Sequence, residues 1–492
     1  MKSLSNRFVI LLVIILLLFA FSNTHFPVSG DITTQTFWET DLNPDGYAYE
    51  INSGLDGTLW ISDYSAGEIR AYQPSSNLMT IYVDLGLVSD ARPDGEGNVW
   101  FIDQGTDRLG KLNPFTGELL YWQLGTNISP FGTTIDPQNR IWVSLTNNSN
   151  LYLFTPGEED EGVLCTLDLI ESGFNGSYYV VDESGTVWLG GNTQVYRLIE
   201  VSESQYQLVK YTPSGSMAFS AEGLLGDGDG GLWFADSSTN KAIVHLDVTS
   251  GGSFNQYAIP SGIPYMLTRQ NDLIWFSGQE PGVLGSLDPF SLTPNVNFVN
   301  TSESTLEPAC DAITASTGIA TQTSETPIWV ESSFPIETTI GWSVIDFGED
   351  SHPWGIVITE GSLWMVDQDK DHKVLMRSDV EATITACKFS DADGELETVE
   401  DREAIAGWQM KLFQNDVLMG TQTTAIDGCA TWSNLALGAT YTIEEEQREG
   451  WAALEPANGV CDMGIFTQVG QFTCDFINWK EESNIFLPLV IK

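Results

Sequence analysis

Proton transfer near neutral pH draws first on histidine, and the 492-residue chain has four: His25, His245, His352 and His372. His25 lies in an N-terminal segment that reads as removable, His245 in an alternating strand pattern, and His372 in the charged run Asp369-Lys370-Asp371-His372. His352, ahead of Pro353, is left as the candidate base, with an ordinary loop histidine as the alternative. Four aspartates close a recurring tryptophan pentapeptide, as in Leu59-Trp60-Ile61-Ser62-Asp63 and Val99-Trp100-Phe101-Ile102-Asp103. Gathered around one opening, Asp63, Asp103, Asp236 and Asp367 would suit a divalent cation, Ca2+ or Mg2+. Taken singly they would end strands and cap turns. Aromatic residues recur just before the expected first strand of several units: Tyr49, Phe131, Tyr178, Tyr265 and Trp354. Together they would make a stacking platform for a sugar or a planar apolar ligand; apart, they would pack between neighbouring units.

The elements that must position these residues are repeats. Tryptophan strands start near Trp60, Trp100, Trp142, Trp188, Trp233, Trp275 and Trp364, at intervals of 40, 42, 46, 45, 42 and 89 residues. The first five intervals match one four-stranded blade of a β-propeller. The last holds a Thr/Ser-rich stretch near 291–340, read as an insertion in one blade or a degenerate eighth blade around Trp329. Each unit runs from a Gly/Asp turn into the tryptophan strand, then to a third strand such as Arg108-Leu109-Gly110-Lys111-Leu112, a turn, and a fourth strand. Gln35-Thr36-Phe37-Trp38-Glu39 reads as a fourth strand without a blade, and the last unit stops at Lys373-Val374-Leu375-Met376-Arg377. The N-terminal strand is therefore expected to complete the last blade and remove the open edge.

Composition narrows the setting. Asp and Glu number 67 against 20 Lys and Arg, a formal charge of −47, which repels phosphate backbones and excludes nucleic acid as an expected partner. Lys2 and Arg7 precede the apolar run Phe8 to Phe21, and Val28-Ser29-Gly30 offers small residues before Asp31. This reads as a secretory signal peptide over 1–30, with an uncleaved anchor as the alternative. An exported chain permits disulfides among Cys165, Cys310, Cys387, Cys429, Cys461 and Cys474. Four of these crowd the C-terminal part, and their pairing stays open at this stage. None is spaced C-x-x-C, so zinc and thioredoxin-type chemistry are not supported.

The propeller repeats, over about 34–378, resemble virginiamycin B lyases (streptogramin lyases). Pro130-Phe131-Gly132, Pro353-Trp354-Gly355-Ile356 and Leu109-Gly110-Lys111-Leu112 carry the resemblance. It implies a seven-bladed propeller. Members acting on the antibiotic are metal-dependent C–O lyases that open a cyclic depsipeptide ester by elimination. Such chemistry needs a base to take the proton α to the carbonyl and a cation to hold the enolate. The resemblance implies a histidine after the proline, where this chain has Phe131 and Trp354. It also implies a glutamate where this chain has the four aspartates. A sugar-lactone hydrolase of the gluconolactonase kind is a further reading with no specific motif.

After about residue 380 the tryptophan repeat stops. Ile384-Thr385-Ala386-Cys387-Lys388-Phe389, Asp427-Gly428-Cys429-Ala430-Thr431-Trp432, Gly450-Trp451 and Cys474-Asp475-Phe476-Ile477-Asn478 follow in order. They resemble the prealbumin-like domains of bacterial surface proteins, of the SdrD B and Cna B type, which serve as stalks and spacers. The resemblance implies two devices. Asp391, Asp393 and Glu395 match the start of a calcium loop, although its later positions fall on Val399 and Arg402. Lys388, Asn478 and Glu445 occupy places like those of a Lys–Asn isopeptide and its catalytic acid. No Leu-Pro-x-Thr-Gly signal is present near the tail, so sortase attachment is not expected.

The expected fold is all-β: a signal peptide (1–30), a seven-bladed β-propeller (31–380), a prealbumin-like β-sandwich (381–480) and a tail (481–492). The expected function is recognition of a small molecule, glycan or peptide by a secreted or surface-displayed monomer associated with the cell envelope. The alternative is a lyase of the streptogramin type.

Overall fold

A computed structural model describes residues 34–480 apart from short internal segments, of which 171–178 and 393–401 are the longest. The signal segment and the tail lie outside the described residues. Among the described residues the regular structure is strand, with short 3-10 turns, and no helix is long and apolar enough to cross a membrane.

Each repeat folds into one antiparallel four-stranded sheet. In blade 1 the strands Ala48–Ser53, Leu59–Asp63, Glu68–Gln73 and Leu78–Val83 pair in chain order. Six further blades follow, with second strands Val99–Asp103, Ile141–Leu145, Val187–Gly190, Leu232–Asp236, Leu273–Gln279 and Ser362–Gln368. These second strands carry the recurring tryptophans and are buried almost throughout. Hydrophobic cores form between neighbouring blades, as where Trp60, Ile69 and Tyr82 of blade 1 meet Val99, Phe101 and Leu119 of blade 2. Stacked sheets must bury both faces, which is why the second strands read as near-continuous apolar runs.

In blades 2, 3 and 4 the tryptophan's indole N–H is tied down by an aspartate six residues earlier. Trp100 Nε1 donates to Asp94 at 3.0 Å, Trp142 to Asp136 at 3.1 Å and Trp188 to Asp182 at 3.0 Å. The second oxygen of each carboxylate accepts two backbone amides of the hairpin between, as Asp136 Oδ1 does from Gln138 and Arg140. In blade 5 the pattern changes. Asp227 takes His245 Nε2 at 2.9 Å, and that imidazole stacks on Trp233 at 4.3 Å. His245 is thus a structural member of blade 5. Burial opposes ionisation of Asp227, but the bonds from His245, Asp229 and Gly231 outweigh it and hold the carboxyl low.

The N-terminal strand Thr34–Asp41 closes the ring, pairing antiparallel with Lys373–Asp379 in the register Trp38 to Arg377. The insertion is a girdle, not an eighth blade. It leaves blade 6 after Gly282–Leu287 and runs around the outside, pairing with the fourth strand of each blade in reverse order. Asn295–Leu306 pairs with blades 5 and 4, Ala309–Thr314 with blade 3, Ser316–Ile319 with blade 2 and Thr321–Glu325 with blade 1. Val330–Thr339 then pairs with the N-terminal strand and returns to blade 6 at Trp342–Gly348. The outer edge of every blade is therefore covered. Cys165–Cys310 fastens the girdle to blade 3. Trp329 packs on Tyr72 and Trp364 and donates to Asn77 at 2.9 Å.

Past residue 380, Glu381–Asp391 lies between Cys429–Ala436 (antiparallel) and Gly470–Lys480 (parallel). A second sheet holds Val417–Thr423, Gln409–Gln414, Thr440–Glu445 and Val460–Ile465. Side chains of both sheets share one core, in which Tyr441, Phe466 and Phe472 are in ring contact. Cys387–Cys429 ties neighbouring strands of the first sheet, and Cys461–Cys474 ties the two sheets together. All six cysteines are paired.

Candidate functional site

The innermost strand of each blade lines the central channel. In six blades that strand carries one extra residue near its start, as between Ala48 and Ile51 or between Pro353 and Ile356. Such a bulge re-aims side chains. In blades 1, 3 and 6 its freed amide is met by a serine two residues after the tryptophan. Glu50 N donates to Ser62 Oγ at 3.1 Å, Gly132 N to Ser144 at 3.3 Å and Met266 N to Ser277 at 3.3 Å. Neighbouring blades are also stitched at this level: Ser277 Oγ donates to the Trp354 carbonyl at 2.6 Å, and Ser89 Oγ to that of Phe131.

By register, the first bulge position carries Tyr49, Ser89, Phe131, Tyr265 and Trp354, and Glu222 stands at the matching position of blade 5. Four of the five aromatic residues singled out from the sequence thus stand at one level of the channel. They touch: Tyr49 and Phe131 lie 5.8 Å apart edge to face, Tyr49 and Trp354 4.8 Å, and Trp354 and Tyr265 5.1 Å in a stack. Trp354 Nε1 is buried without a hydrogen-bond partner among the described residues. Burial, then Glu50 and nearby phenols, push Tyr49 up to about 12, and burial with Glu222 and Glu280 raises Tyr265. Tyr178 lies outside the described residues.

One step deeper, the register places Glu50, Asp90, Gly132, Gly223, Met266 and Gly355. Gly223 carries a φ of +48°, and a side chain there would collide with the Tyr265 carbonyl, so neighbouring strands close up around the axis. A cavity of about 260 Å3 opens at this depth, lined among others by Glu50, Asp90, Arg92, Thr133, Met266 and Val357. Asp90 is buried and fully engaged. It accepts from Arg92 Nε at 3.1 Å, Asn52 Nδ2 at 3.3 Å, and Thr133 N and Oγ1 at 2.7 and 3.1 Å. Burial, then the charge of Asp90, push Glu50 up to about 8, with Arg92 pulling the other way. Sequence reasoning missed Glu50 and Asp90. The available signal was that two of the seven units put a carboxylate directly after the rim position.

The four strand-end aspartates have a different placement. Each stays within its own blade, anchoring the loop that enters the innermost strand. Asp63 accepts from Tyr47 N at 2.6 Å, Asp103 from Leu87 N at 3.1 Å, Asp236 from Ser220 N at 3.0 Å and Asp367 from His352 N at 2.8 Å. Asp103 also pairs with Arg108 at 2.6 Å. Among the described residues no three His, Cys, Asp or Glu side chains gather as cation ligands, so the donor set for Ca2+ or Mg2+ does not fit here. His352 turns Nδ1 to the Asp350 carbonyl at 2.9 Å and does not line the channel cavity.

In the C-terminal domain Asp391 is buried and faces Arg402 at 3.8 Å; Asp393 and Glu395 lie outside the described residues. Lys388, Glu445 and Asn478 come together, although Glu445 belongs to the other sheet. Lys388 Nζ stands 2.7 Å from Glu445 Oε2, with both side chains fully buried, and Asn478 Nδ2 donates to the same oxygen at 3.3 Å. The Trp408 ring covers Nζ at 4.8 Å. Burial pushes the Lys388 amine down to about 8, against the pull of Glu445.

Comparison with solved structures places the ring. The structure aligns over 70% of its length with virginiamycin B lyase from Staphylococcus aureus, at 17% identity and a TM-score of 0.50, covering 99% of that chain. A streptogramin B lyase aligns over 70% at 19% identity and 0.50, covering 97% of that chain. A catalytically inactive variant of the S. aureus enzyme with quinupristin aligns over 70% at 17% identity and 0.50, covering 98% of that chain. No family model matches the sequence, and no curated protein matches it. At this identity the likeness establishes a propeller fold similar to that of the lyases, and nothing about the reaction.

Proposed function

We propose that the protein is exported, that residues 31–380 form a ligand-recognition propeller, and that residues 381–480 form a prealbumin-like spacer that presents it at the cell envelope. One observation carries the recognition reading: Phe131, Tyr49, Trp354 and Tyr265 make a continuous arc of rings at one level of the channel, above the cavity that holds Glu50. Three disulfides and the basic, apolar N-terminus support export. The ligand is a glycan, a peptide or another small molecule with a flat apolar face. The test is a glycan and depsipeptide binding screen on the full chain with Trp354→Ala and Tyr265→Ala. Loss of a wild-type hit in both variants is expected; unchanged binding overturns the reading.

The lyase reading keeps one specific support, a carboxyl of raised pKa in the channel cavity, which is the kind of group that takes a proton. Mass spectrometry for ring opening of quinupristin tests it.

The spacer reading extends to Lys388, Glu445 and Asn478. Neutral Lys388 Nζ attacks Asn478 Cγ, Glu445 relays the protons, ammonia leaves, and an amide joins the parallel strands Glu381–Asp391 and Gly470–Lys480. Intact mass decides this: the loss of one ammonia beyond the disulfide hydrogens is expected, and full mass rules the bond out.

A further inference from the structure

The two walls of the channel cavity differ in chemistry. Blades 1 to 3 contribute Glu50, Asn52, Asp90, Arg92 and Thr133. Blades 4 to 7 contribute Val180, Leu225, Met266, Leu267, Ile356 and Val357, with Thr268 their one polar side chain, while Ile51 and Phe131 add apolar surface to the first wall. On the polar wall Asp90 is engaged by Arg92, Asn52 and Thr133. Glu50 is not: its amide is tied to Ser62, while its carboxyl has no hydrogen-bond partner among the described residues. Such a wall with one uncommitted acid, opposite an apolar wall, is a site for a molecule with one polar end and one apolar body.

We propose that the channel binds a small organic cation, a protonated primary amine whose ammonium meets Glu50 and whose apolar body lies on the opposite wall. This deepens the recognition reading and rests on it. An ammonium brings three donors and no acceptor, which is what a carboxyl lacking donors can use. Arg92 already balances Asp90, so Glu50 is the carboxyl left for a ligand to pair with. A hard metal ion would want six or more oxygens, and Glu50 is the one uncommitted carboxylate in the lining. The rim rings favour a cation on the way in, because ring faces attract positive charge. The formal charge of −47 raises the local concentration of cations in the same direction. An engineered cavity of about 150 Å3 holds benzene, so this one takes roughly ten non-hydrogen atoms.

Binding carries a proton signature. The groups facing Glu50 are Asp90 and Arg92 on blade 2 and Tyr49 on its own strand; blade 7 presents Gly355, Ile356 and Val357, which do not titrate. With its carboxyl pushed up to about 8, Glu50 holds its proton in the empty channel at neutral pH. An arriving ammonium expels that proton to solvent, so each binding event releases one.

The probes are phenethylamine and its neutral counterpart 2-phenylethanol, titrated calorimetrically into the full chain at neutral pH in two buffers of different ionisation enthalpy. The amine is expected to bind with release of about one proton and at least about ten-fold more tightly than the alcohol. Glu50→Gln, which keeps the side-chain shape, should remove that advantage and the proton release, with its melting profile confirming the fold. Val357→Phe, filling the apolar side, should weaken the amine by a similar factor. Equal affinity for amine and alcohol, amine binding that ignores Glu50→Gln, or no amine binding overturns the proposal. If a glycan still binds in a Trp354-dependent way, the recognition reading survives that failure; if neither class binds, both fall.

Discussion

In the propeller no single contact fastens the ring. Closure is shared between the N-terminal strand, a girdle paired with all seven blades and one disulfide. In the C-terminal domain, by contrast, two disulfides and the buried Lys388–Glu445–Asn478 group act on one core, which runs on into that of blades 6 and 7. Distributed closure leaves the channel-lining positions free to vary. The rim position is Tyr, Ser, Phe, Glu, Tyr or Trp from blade to blade, while the tryptophan of the second strand never changes. Concentrated closure leaves no such freedom, and a substitution at one of its few fastenings should be felt across the domain.

The sharpest way to break this contrast is Glu445→Ala. It strands Lys388 in a dry core, and a loss of about 3–5 kcal/mol is expected in denaturant unfolding of the full chain. A loss below about 1 kcal/mol would mean the fastening is not concentrated there. Removing Cys165–Cys310 by paired alanine substitution frees a connection spanning 145 residues. Because the girdle's pairing remains, the cost should sit near the low end of the usual range, about 2 kcal/mol, with the other blades unaffected in hydrogen exchange. Asp136→Ala removes a hairpin cap and the partner of Trp142, and should cost about 1–3 kcal/mol with faster exchange confined to blade 3.

A further effect is a pH slope. Folded Glu50 keeps its proton up to about 8, against 4.5 for an unperturbed glutamate. The folded state therefore binds more protons across that window, and stability should fall as pH rises through it. Glu50→Gln should flatten the slope in melting temperature without changing the rest of the profile.

The repeats made the architecture readable, because a buried tryptophan every 40 to 46 residues reports a blade whether or not its neighbours are known. The missing edge strand at the last unit likewise announced Thr34–Asp41 as its partner. The girdle was not readable: its strands alternate little and are exposed, since they add to edges instead of filling a core. At the site, Tyr49, Phe131, Tyr265 and Trp354 stood out because aromatics recur at one register position. The strand-end aspartates stood out for the same reason, yet a residue repeated around a ring can serve each blade separately, as Asp63 and Asp236 do with their own loop amides. Glu50 escaped notice because it breaks the repeat, and its character comes from burial and then from Asp90 on the next blade, 40 residues away in the chain.

Beneath its aromatic rim the channel holds an uncommitted acid of raised pKa. A carbon-13 NMR titration of the Glu50 carboxyl, assigned by its loss in Glu50→Gln, tests it most directly. The account predicts a midpoint near 8 that falls when phenethylamine is added; a midpoint near 4.5 in the free protein would contradict it.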